Sequence, residues 1–137
     1  MKLIYWTSTG NTEEMANLIL SGIKEAGKDA TLINVSSDTI SSIAEDEVLA
    51  LGCSACGAEE LDEGEFVPAI DALDLTGKKV AIFGSYGWGG GEYAGIFKEK
   101  VEELGGTVVL EPLLVEEHPE GETAEECVEF GRQLAAL

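Results

Sequence analysis

Three short segments of this chain carry residue types that could do chemistry. The first, Thr7-Ser8-Thr9-Gly10-Asn11-Thr12, packs four hydroxyls, one amide and one glycine into six residues ahead of a helical pattern. The opening N–H groups of a helix lack partners within it, and its dipole favours an anion at that end. Hydroxyl and N–H donors can satisfy phosphate oxygens at short range without a cation, so the segment reads as a cup for a phosphate monoester. A plain helix N-cap would use the same Ser and Thr residues, with Glu13 and Glu14 in the first turn. Its position directly after a strand favours the cup. It is neither a Walker loop, which needs a Lys after the glycine and a longer glycine spacing, nor the dinucleotide fingerprint.

The second segment, Ser85-Tyr86-Gly87-Trp88-Gly89-Gly90-Gly91, sets two aromatics among glycines. Trp88 can present a slab to a flat ring while the glycines let backbone approach it closely. An exposed Trp could instead mark a protein-docking patch, and Tyr86 would fit equally well packed into the end of a sheet. The third segment is Cys53-Ser54-Ala55-Cys56, followed by Gly57, Ala58 and Glu59. A C-x-x-C pair is the dithiol of thioredoxin-like proteins when it opens a helix, where the thiolate is stabilised. Here a run of carboxylates follows and would raise the thiol pKa, so thiol–disulfide exchange is the rival reading.

Other chemistries fit poorly. A zinc site would need a second pair of ligands, and the single histidine, His118 beside Pro119, reads as an exposed loop residue. Cys127 shares a helix face with Phe130 and Leu134, which suits core packing. A C-x5-R phosphatase is excluded because Arg132 is the only arginine. A phospho-receiver domain would need clustered acids after the first strand and a Lys after the fifth, and neither is present.

The elements that must position these segments alternate. Apolar β-rich runs lie at residues 3–6, 30–33, 48–51, 80–83 and 108–115, the last passing through Pro112. Those around residues 50 and 81 are almost continuously apolar, as in parallel strands covered on both faces. Met15, Leu18, Ile19, Gly22 and Ile23 recur at helical spacing, and Gly27 supplies a stop. Further helices are expected near 41–44, 66–73, 92–104 and 123–137, giving β-α repeated five times. The alternation predicts an α/β fold with a doubly wound parallel sheet of five strands and helices on both faces. Ligands of such sheets sit beyond the carboxyl ends of the strands. Segments 7–12, 53–65 and 85–91 follow strands 1, 3 and 4.

Bulk properties bound the rest. At 137 residues and 45% hydrophobic content, the chain suits one domain spanning 1–137. No signal-peptide pattern opens it, no apolar run approaches the roughly 18 residues of a membrane span, and three cysteines suit a reducing compartment. A soluble cytoplasmic monomer is expected. With 27 acids against 8 bases the net charge is −19, which excludes nucleic acid, whose phosphates require a basic patch. Such acidity aids solubility, and it also suits docking on basic faces of other proteins.

The 7–12 segment is similar to the [ST]-x-T-G-N-T phosphate loop of flavodoxins. Gly52-Cys53-Ser54-Ala55 and Phe83-Gly84-Ser85-Tyr86-Gly87-Trp88-Gly89 resemble the short-chain clostridial type. The resemblance implies strand order 2-1-3-4-5 and a non-covalently bound flavin mononucleotide (FMN). It implies a low-potential carrier that moves one electron at a time between redox enzymes of the ferredoxin-partner kind, with no catalytic acid, base or nucleophile. Thr7, Ser8, Thr9, Gly10, Asn11, Thr12 and Ser54 would take the phosphate. The ring would lie against Trp88 within Ser85, Tyr86, Gly87 and Gly89, with Ala55, Cys56, Gly57 and Ala58 as the other wall. Clostridial relatives commonly carry Met where Cys56 stands. The Gly57–Ala58 peptide would flip so that the Gly57 carbonyl accepts from N5 of the half-reduced ring, and Glu59 would bind the pyrimidine edge. Glu59, Glu60, Asp62, Glu63, Glu65 and Glu117 would oppose the fully reduced anion. One carboxylate about 10 Å away at an effective dielectric of about 20 costs about 1.7 kcal/mol, or about 70 mV. Solvated and screened carboxylates would act more weakly. A flavin-binding sensor or storage module and a flavin-bound quinone reductase are the other readings of the same site.

Overall fold

The computed structural model describes residues 1–55, 60–87 and 92–137. The elements run β1 Lys2–Trp6, α1 Asn11–Glu25, β2 Thr31–Asn34, β3 Val48–Cys53, α2 Phe66–Asp71, β4 Lys79–Tyr86, α3 Tyr93–Glu103, β5 Thr107–Val108, β6 Leu113–Glu116 and α4 Glu122–Ala135. Every strand pairing is parallel, in the order β2-β1-β3-β4, with β5 and β6 both on the outer edge of β4. The expected fifth strand is therefore one edge position filled by two pieces. β5 pairs with Lys79 and Val80, whereas β6 pairs from Phe83 to Tyr86. Between them Leu110 takes φ 65, which no strand tolerates, and Pro112 has no N–H to give the ladder.

The expected helix near 41–44 is absent, so the β2–β3 crossover carries no helix and the count is four rather than five. Ser, Thr and Asp side chains compete for its backbone. Asp38 Oδ2 accepts from the Asn34 N–H at 3.0 Å, Asn34 Oδ1 from Ser36 N–H at 3.0 Å and Ser42 Oγ from Ala44 N–H at 3.3 Å. Lys78 then holds the crossover down, its ammonium donating to the carbonyls of Ile43 at 2.8 Å and Asp46 at 2.9 Å.

Alternation along the strands divides the core between the two faces of the sheet. Leu3, Tyr5, Ala50, Ala81 and Phe83 meet Met15, Ile19 and Ile23 of α1 and Cys127, Phe130 and Leu134 of α4. Burial, with Glu126 and Glu14 adding to it, pushes the Cys127 thiol up to about 12, consistent with an inert packing residue. Ile4, Leu49, Leu51, Val80 and Ile82 meet α2 and α3 on the other side, where the rings of Phe66 and Phe97 pack edge to face at 5.5 Å. Helices α1 and α4 cross at a reciprocal pair of glycines. A Cβ on Gly22 would lie 1.9 Å from the Val128 carbonyl oxygen, and one on Gly131 would lie 2.0 Å from that of Ile19. Among the described residues no helix is long and apolar enough to cross a membrane.

Gly131→Ala should lower the unfolding free energy by roughly 1–3 kcal/mol through overpacking, read from urea denaturation. An unchanged midpoint would contradict the close crossing. Burial raises the Asp46 carboxyl, but hydrogen bonds and charge from Lys2 and the Met1 amino group carry it below its ordinary value. A depressed carboxyl pKa contributes stability above the unfolded-state value of about 3.9 and loses it as pH falls through the folded value. Asp46→Asn should therefore be the less stable protein at about pH 7, with the gap narrowing as pH falls below the unfolded-state value of about 3.9 in paired urea titrations.

Candidate functional site

The carboxyl ends of β1, β3, β4 and β6 converge on one cleft of ≈ 580 Å³, lined by Ser8, Thr9, Asn11, Ser54, Ala55, Ser85, Tyr86, Gly87, Glu117 and His118. Its volume is within the range of small-molecule and cofactor pockets. Residues far apart in sequence meet here because each lies just beyond a strand of the same parallel sheet.

The 7–12 loop is shaped by its glycine. Gly10 is the N-cap of α1 at φ 93, a left-handed conformation that a side chain would strain. Its N–H donates to Thr7 Oγ1 at 3.1 Å, which closes the loop. No side chain caps α1. Glu13, in the first turn, instead accepts from the Tyr5 hydroxyl at 2.8 Å and the Asn34 amide at 3.4 Å. Burial, together with that hydrogen bond and the charges of Glu13 and Asp38, pushes the Tyr5 phenol up. The helix thus begins with its amides uncapped by side chains beside the hydroxyls of Ser8 and Thr9, a donor set suited to an anion.

Thr12 does different work from its neighbours. It is fully buried, with its hydroxyl 2.7 Å from Ser54 Oγ, and it accepts from the Ser85 N–H at 3.3 Å. Ser54 Oγ in turn accepts from the Ser8 N–H at 3.4 Å. The ends of β1, β3 and β4 are cross-linked further by Ser54 N–H to the Trp6 carbonyl at 3.2 Å and Ala55 N–H to the Ser85 carbonyl at 2.9 Å. Thr12 belongs to the frame, and neither Thr7 nor Gly10 lines the cleft; their parts are to close and turn the loop.

On the far side, Glu117 takes φ 56 and is fastened to β4 at both backbone groups. Its N–H donates to the Tyr86 carbonyl at 2.7 Å, and its carbonyl accepts from Ser85 Oγ at 2.7 Å. Tyr86 is half-buried, packing on the core while also lining the cleft. His118 is the exposed loop residue that the sequence suggests, and it also lines the cleft, which the sequence reading does not anticipate. The signal that could have found it was its position just beyond the last strand.

Of the acids expected around the ring, two have structural partners. Asp62 Oδ2 accepts from the N–H groups of Glu65 at 2.7 Å and Phe66 at 2.9 Å where α2 begins. Glu65 Oε1 accepts from the Trp6 indole at 3.1 Å and Ser36 Oγ at 3.0 Å. Cys53 is a buried strand residue of β3 rather than the first residue of a helix, which removes the setting that activates a C-x-x-C thiol. Cys56, Gly57, Ala58, Glu59, Trp88 and Gly89 lie outside the described residues.

A family model described as Flavodoxin matches residues 3–131. The chain is 48% identical over 139 residues to a flavodoxin of Clostridium beijerinckii, covering 100% of both chains. It is 40% identical over 137 residues to a flavodoxin of Megasphaera elsdenii, covering 98% of each. The solution structure of the two-electron reduced Megasphaera elsdenii flavodoxin superimposes with a TM-score of 0.88 at 40% identity, covering 99% of this chain and 98% of that one.

Thr12→Val retains shape but removes the hydroxyl that bonds Ser54 and accepts from the buried Ser85 N–H. A loss of about 1–3 kcal/mol in urea unfolding is expected, and a loss near zero would show that the frame does not depend on it.

Proposed function

The chain belongs to the flavodoxin family, and from that membership we propose how its cleft serves an FMN-binding electron carrier. Bound FMN supplies a ring that accepts and releases electrons. The protein's part is to hold the nucleotide and set the field around it. The observation that carries the reading is the hydroxyl-lined cleft at the strand ends, where α1 starts at Gly10 with no side-chain cap.

In this reading Ser8, Thr9, Asn11 and Ser54, with the first amides of α1, bind the phosphate, while Thr7, Gly10 and Thr12 keep that loop in shape. Donors replace cations, so a dianion is held inside a molecule of net charge −19. Trp88 and the 55–58 segment cover the ring faces, Ser85, Tyr86, Gly87 and Gly89 line its approach, and Glu59 takes its polar edge. By the resemblance, the Gly57 carbonyl would offer a hydrogen-bond acceptor to the flavin ring. Glu117 and the acids of the 59–65 segment disfavour added negative charge, which makes the carrier a strong reductant. A single domain working as a cytoplasmic monomer would meet redox enzymes through their basic faces, with association that slows as salt rises.

The test is to strip the purified chain of flavin and titrate it with FMN and with riboflavin, then to reduce the FMN complex stepwise. Stoichiometric FMN uptake, weaker riboflavin uptake and two separated one-electron waves are expected. A chain that takes up no FMN would overturn the reading.

A further inference from the structure

We propose that His118 is a cofactor-binding residue that helps the cleft select a phosphorylated flavin. This rests on the FMN reading of the cleft. The described cleft wall contains no Lys or Arg, one carboxylate at Glu117, and His118 as the one side chain able to carry positive charge. In a chain of net charge −19 that placement is not neutral toward an anion. The imidazole donates from a ring N–H when neutral and from both nitrogens when protonated, so it can bond a phosphate oxygen in either state. Its backbone is also set in place. Glu117, immediately before it, is bonded to Tyr86 and Ser85 of β4 at 2.7 Å each, and Pro119, immediately after it, is buried. The exposed ring therefore sits on a fixed stem and lines the same cleft as Ser8 and Thr9, rather than riding on a swinging loop. A plain solvent-facing histidine would leave flavin affinities untouched.

The experiment compares the flavin-free native chain with His118→Ala and His118→Lys, titrating each with FMN and with riboflavin, and checks unfolding midpoints alongside. For His118→Ala the FMN dissociation constant should rise about fivefold, the scale of one exposed charged contact, with riboflavin changed by less than about twofold. His118→Lys should restore FMN affinity to within about twofold of native. Unchanged FMN affinity in His118→Ala, equal weakening of both flavins, or no rescue by Lys would each overturn the proposal while leaving the FMN reading intact. A native chain that binds no FMN would sink the parent reading and this one together.

Discussion

The Thr12 hydroxyl is the point on which the site is assembled. It is buried, reaches Ser54 Oγ at 2.7 Å, and accepts from the Ser85 N–H at 3.3 Å. One group at the start of α1 therefore ties together the ends of β3 and β4. Hydrogen bonds away from water are strong and costly to leave unmade, so this linkage sets how far apart the loops can drift. Ser8 and Thr9 can face a ligand in the cleft because Ser54 and Ser85 behind them are already bonded to Thr12 and Glu117.

That frame in turn depends on helix α1 lying flat against the sheet. Gly22 and Gly131 permit α1 and α4 to approach until a Cβ would strike a carbonyl oxygen. Together the two helices cover one side of the sheet, where Leu3, Tyr5 and Phe83 are buried. The N-terminus of α1 is delivered to the cleft as a consequence of that packing. Close-packed interiors transmit such placement over several turns of helix with little slack.

Electrostatics shapes the site by subtraction. The acids outnumber the bases by 27 to 8, yet several near the cleft have structural work. Glu13 is bonded to Tyr5 and Asn34, Asp62 to the start of α2, and Glu65 to Trp6 and Ser36. An anion at the helix N-terminus would face the first amides of α1 and the hydroxyls of Ser8 and Thr9, with Glu117 the one carboxylate on the described cleft wall. Short-range donors in a sheltered cleft outweigh screened charges farther away.

Much of this was legible in the residues alone. Apolar runs in β1, β3 and β4, the helical spacing in α1 and the hydroxyl-rich loop after β1 are local patterns, and local patterns decide element type and order. They also singled out segment 7–12, of which Ser8, Thr9 and Asn11 line the cleft. Other features were decided by tertiary contact. The 41–44 segment is expected to be helical from sequence, but the Ser42 hydroxyl bonded to the Ala44 N–H and the Lys78 ammonium bonded to the Ile43 carbonyl settle it as a loop. The fifth strand breaks where Leu110 takes φ 65 and Pro112 lacks an N–H for the ladder, so it meets the continuous edge of β4 in two pieces. Thr12, a phosphate candidate in the sequence, is buried and bonded to Ser54 and Ser85, and His118, an exposed loop residue as expected, also lines the cleft, because which way a side chain faces depends on what is packed behind it. A linear sequence specifies donors and acceptors; only the folded sheet brings the ends of distant strands close enough to determine which of them satisfy each other and which face a ligand.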